Sequence, residues 1–176
     1  MGAVSAVDGQ VMDVPKLDFL CGCLATALLS HYGVTQVPVP LREMLVSPPP
    51  DLAQDLSLTE VSFGESIWLR PPSGQGSVFV NAEMSEPERR YAMARSLFIG
   101  LCSTKGGREV GLPAVPNDNL KAQSDLFARR LLMAPELLPS DWRHMAPDAL
   151  AELCGVPRPV AAAQLQSAQQ RRGERG

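Results

Sequence analysis

Apolar positions along the chain switch between two periods, and the switches divide it into elements. Over residues 15–32, Leu17, Leu20, Cys21, Leu24, Ala25 and Leu28 recur at helical spacing and predict a first helix. Pro15 suits its first turn and Gly33 is a stop signal. Residues 34–40, VTQVPVP, read as an extended connector, because each proline pushes its neighbour out of the α region. Residues 41–45 predict a short helical turn ended by Pro48, Pro49 and Pro50, and residues 51–56 one turn more. Strand-like pieces follow at 56–63, 66–69 and 77–81, bounded by Gly64, Pro71, Pro72, Gly74 and Gly76. Three consecutive short strands with short connections predict an antiparallel meander.

The second half returns to the helical period. In residues 88–105, ERRYAMARSLFIGLCSTK, the residues Tyr91, Ala94, Leu97, Phe98, Leu101 and Cys102 share one face. Ser85 and Glu88 have the spacing of a capping box, and Pro87 is tolerated in a first turn. Taken alone, this stretch is an amphipathic core helix that turns Arg95 and Ser96 to solvent. Residues 105–119 hold three glycines and two prolines and read as an irregular loop. Neither Gly106-Gly107 nor the Gly74/Gly76 pair follows a strand and opens a helix, as a phosphate loop requires, so both read as turns. Asp118 or Asn119 can cap the next helix, which runs to Met133 with Leu120, Ser124, Phe127, Ala128, Leu131 and Leu132 on its apolar face. Two more helices, 147–154 and 157–169, meet at Gly155. The closing QQRRGERG has no apolar residue and reads as disordered. The chain thus predicts an α+β domain over 15–168, between a flexible arm at 1–14 and a tail at 169–176.

Composition narrows the function classes. A hydrophobic share of 45% suffices for a real core, and an aromatic share of 5% makes that core mostly aliphatic. The net charge of −3 gives no electrostatic reason to expect nucleic acid, which would call for a basic patch. The last helix pair has a helix-turn-helix look, but its second helix carries little beyond Arg158, Gln164 and Gln166 to read bases or hold phosphates. No apolar run approaches the ~20 residues that span a bilayer, and the N-terminus lacks the basic and apolar regions of a signal peptide. With Cys21 and Cys23 too close for an ordinary disulfide, a reduced, cytoplasmic protein is expected.

The order of parts resembles the ImmA/IrrE family of zinc metallopeptidases over roughly residues 15–168. Val78-Phe-Val-Asn81 is similar to that family's strand ending in Asn, and Glu86-Pro-Glu-Arg-Arg-Tyr91 to the polar start of its active-site helix. Phe127-Ala-Arg-Arg-Leu-Leu-Met-Ala-Pro135 is similar to its FA-x-x-LLMP segment, with Ala134 inserted. Leu150-Ala-Glu-Leu-Cys-Gly-Val-Pro157 and the residues after it are similar to its closing helices. The resemblance implies a zincin-like fold with a small three-stranded antiparallel sheet among helices.

The metal ligands of that family are replaced. Zinc chemistry of this kind needs two histidines at i and i+4 with a Glu between them as general base. Setting Ala94 against the family's alanine puts Arg95 and Ile99 at the histidine positions and Ser96 at the Glu. The third ligand would stand where Lys121 and Gln123 are, with only Asp118 and Asp125 acidic nearby. The expectation is a pseudopeptidase without metal or other cofactor. It would act by binding a protein partner, such as a helix-turn-helix repressor or a toxin–antitoxin component, and Arg95, Asp118 and Asp125 are its candidate cleft residues.

Other chemistry is weighed against this. An active hydrolase could use Cys21, Cys102 or Cys154 with His31 or His144, or a relocated metal held by these residues and Cys23. Cys21 and Cys23 on one helix point about 200° apart, which argues against joint ligation. Free cysteines are most often small buried apolar residues. His31 lies at a helix end suited to the dipole, and His144 in the polar DWRHM segment reads as a surface residue. A structural helper in a larger assembly is a third class, marked by exposed apolar surface.

Overall fold

A computed structural model describes residues 14–49, 56–62, 67–69, 76–113 and 118–173 of the chain. The architecture is α+β. In order come α1 (Val14–His31), α2 (Leu41–Val46), β1 (Leu56–Val61), β2 (Ile67–Leu69) and β3 (Gly76–Asn81). Then follow α3 (Glu86–Ser103), α4 (Lys105–Glu109), α5 (Leu120–Leu132), two 3-10 turns at Pro135–Leu137 and Trp142–His144, α6 (Pro147–Cys154) and α7 (Arg158–Gly173). The arm expected at 1–14 lies outside the described residues except for Val14, which opens α1. The turn expected at 51–56 also lies outside them except for Leu56, which opens β1.

The sheet is not the antiparallel meander that the short connections suggest. Its order is β1-β3-β2. β1 runs parallel to β3, with Leu56 opposite Gly76 and Val61 opposite Asn81, while β2 is antiparallel to β3, with Ile67 opposite Phe79. Turn residues set where a strand ends but not which strand it pairs with. Residues 62–75 carry the chain from β1 through β2 to β3, long enough for the crossover that parallel neighbours need. β3 takes the centre because its alternate residues Val78 and Val80 are fully buried toward α3.

Two helix boundaries also depart from expectation. The loop expected at 105–119 contains α4, which includes Gly106 and Gly107. Thr104 makes this possible: its Oγ1 accepts the Gly107 N–H at 2.9 Å and donates to the Leu101 carbonyl at 2.8 Å. A side chain at Gly107 would place Cβ 1.8 Å from the Leu101 oxygen, so the tight join between α3 and α4 requires glycine there. At the other end, α7 continues to Gly173, into the tail expected to begin at 169.

One core joins these parts. Phe98 of α3 and Phe127 of α5 are fully buried, with ring centroids 5.3 Å apart. Each ring contributes about 1.5–3 kcal/mol by leaving water. α1 packs on α5, where Arg130 grips Asp18 through two nitrogens. The start of α3 is fixed by Ser85, whose N–H and hydroxyl both donate to the Glu88 carboxylate. These bonds hold the Glu88 pKa below the usual carboxylate value.

Arg90 is the polar tie of the domain. Its Nε donates to the Gly155 carbonyl at 3.0 Å and its Nη2 to the Val39 carbonyl at 2.8 Å, so α3 is tied to the α6–α7 turn and to the segment before α2. Gly155 adopts φ +61°, and a Cβ there would approach the Arg90 Nε to 3.0 Å. Arg90→Ala leaves both carbonyls without this donor, and is expected to cost about 1–3 kcal/mol in urea denaturation. A loss under a few tenths of a kcal/mol would show that the tie is dispensable.

Candidate functional site

Helix α3 is covered on most of its circumference. Met93, Ala94, Ser96, Leu97, Phe98, Gly100, Leu101 and Cys102 are all buried. The half-buried positions Tyr91, Arg95 and Ile99 recur every four residues and form one row at the edge of the α3–α5 contact. Arg95 and Ile99 are the positions that the resemblance sets against the two histidines. Ser96, expected to face solvent in an ordinary amphipathic helix, is instead 3% exposed.

From α5, Asp125 meets this row. Arg95 Nε lies 2.9 Å from Asp125 Oδ1, and the Tyr91 hydroxyl donates to the same oxygen at 3.0 Å. Arg95 Nε also reaches Ser124 Oγ at 3.4 Å, while that hydroxyl donates to the Lys121 carbonyl at 2.9 Å. Arg129 Nε reaches the Asp125 carbonyl at 3.4 Å and its Nη1 the Ser167 hydroxyl at 3.3 Å, which links the cluster to α7. Burial, and then the Asp125 charge, push the Tyr91 hydroxyl pKa well above its usual value, so it acts as a donor to the carboxylate.

Among the candidate residues, the structure joins Arg95 and Asp125. Asp118 and Lys121 are exposed. Gln123 is buried, and its Oε1 has no hydrogen-bond partner among the described residues. Sequence reading left Tyr91 among the apolar positions of the helix. The spacing of Tyr91 and Arg95 at i and i+4 is the signal that could have paired them. Ser124 was likewise counted on an apolar face, and its hydroxyl turns back to the helix backbone.

These side chains do not fit a zinc ion. Arg95 offers no lone pair, Ile99 only hydrocarbon, and Gln123 a neutral amide. Among the described residues, no three of His, Cys, Asp and Glu are grouped so as to hold a metal.

Three of the four thiols are equally unsuited to nucleophilic work. Cys21, Cys102 and Cys154 are buried, and only Cys23 is exposed. Burial raises the Cys21 and Cys102 pKa values to about 12 and that of Cys154 to about 11, so none supplies a thiolate near neutrality. His31 ends α1, where it meets Tyr32 edge-on at 4.9 Å, and both His31 and His144 are exposed.

No protein-family model matches the chain, and no curated protein matches it. Among the described residues, no helix is long and apolar enough to cross a membrane.

The buried thiols give the fold an alkaline limit. Each has a higher pKa folded than its ordinary value of 9.0, so folding favours the protonated form. The stability this provides is complete below pH 9 and is lost as pH rises from there toward 12. Tyr91, also raised, acts in the same direction. Urea midpoints should therefore fall between about pH 8 and pH 10.5; a flat profile would contradict the burial of these groups.

Proposed function

We propose that this domain is a pseudopeptidase: a zincin-like, ImmA/IrrE-type fold that binds a protein partner and cuts nothing. The Arg95–Asp125 ion pair carries the reading. It stands at the row of α3 where the resemblance aligns metal ligands, and it takes one residue from each helix that would otherwise supply them. The two side chains are 33% and 31% exposed, so the pair stays open to a partner while the surrounding helix is packed away. The strand β3, ending at Asn81 and leading into α3, supports the same reading. The partner class is a protein such as a helix-turn-helix repressor or a toxin–antitoxin component, met in the cytoplasm. The rearranged hydrolase has weaker support, because three of the four thiols are buried and protonated.

An ion pair this exposed contributes about 1 kcal/mol or less to stability. Arg95→Ala should therefore leave the unfolding temperature within a few degrees of wild type, yet sharply reduce recovery of the partner that the wild-type chain captures from its own cell extract. Undiminished recovery would remove Arg95 from the binding surface. A collapse of stability would make it a structural residue and sink the cleft reading.

A further inference from the structure

Away from the α3–α5 row, the 3-10 turn Trp142–His144 and the helix α7 enclose a groove of about 400 Å³, a size in the range of small-ligand sites. Its apolar side is made by Met145, Pro147, Ala162 and Leu165. Its polar side is made by Arg143, His144, Gln166 and Gln169, and no carboxylate lines it. The turn is anchored by Trp142, which is 3% exposed, so the residues after it are held in place. Arg143 stacks its guanidinium over that indole, 4.9 Å from the ring centroid.

Arg143 is distinctive among the arginines whose side chains are described. Arg42, Arg89, Arg95, Arg130 and Arg158 pair with carboxylates. Arg90, Arg108 and Arg129 donate to carbonyls or a hydroxyl. Arg143 alone in this set holds only an aromatic face and has no hydrogen-bond or ion-pair partner among the described residues. A guanidinium is a planar fork suited to a carboxylate, and the contact with the indole favours one position for it. The nearby Asp148 does not supply that carboxylate, since it pairs with Arg158 at 2.7 Å.

We propose that this groove binds an acidic segment of a partner protein, seating a bulky apolar side chain against Met145, Pro147, Ala162 and Leu165 and a neighbouring carboxylate on Arg143. Charge complementarity selects this occupant: Arg143 gives the rim one positive charge with no carboxylate in the lining, and the floor is apolar. Gln166 and Gln169 are exposed amides that can bond to the backbone of such a segment. Among the described side chains of α7 the one arginine, Arg158, is already paired, which leaves little there for a phosphate backbone. The groove is separate from the Arg95 row, so the proposal does not rest on the pseudopeptidase reading.

The test uses the full chain and a fluorescein-labelled peptide of sequence EELLEE, read by anisotropy. Peptides EESSEE and KKLLKK and an unlabelled short DNA duplex serve as comparators. EELLEE should bind at least about tenfold more tightly than either comparator peptide, and the duplex should not displace it. Arg143→Glu should weaken EELLEE about tenfold or more. Should that variant unfold, Gln166→Glu places the same repulsive charge on the exposed rim and should weaken binding in the same direction. No binding of EELLEE, equal binding of a comparator, displacement by DNA, or indifference to the charge reversals would each overturn the proposal.

Discussion

The constraint on which the rest of the molecule depends is the enclosure of α3. The sheet packs on it through β3, α5 packs on it through Phe98 and Phe127, and α2 closes a further side. Arg90 then fastens it to two distant turns. A helix held on so many sides cannot rotate or slide without breaking a close-packed core, since such interiors tolerate little change of volume. Its one half-open row, Tyr91, Arg95 and Ile99, is therefore presented in a fixed orientation.

On the proposed reading, that row takes the place of a metal site. In a zinc peptidase the ion joins helices by accepting electron pairs from their side chains. In this chain α3 and α5 are joined by opposite charges, Arg95 and Asp125, with Tyr91 donating to the same carboxylate oxygen. Arg129 extends the connection to Ser167 on α7. The cluster pairs the Arg95 and Asp125 charges with each other.

Much of this was legible in the sequence, and the failures are local and physical. The helices carried by strong apolar periodicity, α1, α3 and α5, stand within a residue or two of their expected limits. The Ser85–Glu88 capping box forms as its spacing implies. Strand pairing was misjudged because turn chemistry is read from neighbouring residues, whereas the parallel partnership of β1 and β3 depends on residues twenty apart. The helix α4 was hidden because its glycines signal a turn, while Thr104, buried and bonded to both Leu101 and Gly107, overrides that signal. Within the candidate site, Arg95 and Asp125 were both singled out, but their direct contact was not, because sequence spacing says nothing of which α5 residue faces α3. The burial of Ser96 was missed for the same reason: five contacting elements leave α3 a narrower solvent face than an amphipathic stripe implies.

The central claim, that this is a domain of peptidase-like organisation whose site holds charges in place of a metal, is tested most directly by measuring zinc and proteolysis together on the purified full chain. Metal analysis after supply of zinc should give far less than one equivalent per chain, and incubation with an unfolded protein substrate should give no cleavage that a chelator abolishes. One bound zinc per chain, accompanied by cleavage that disappears on chelation and returns with zinc, would contradict the account.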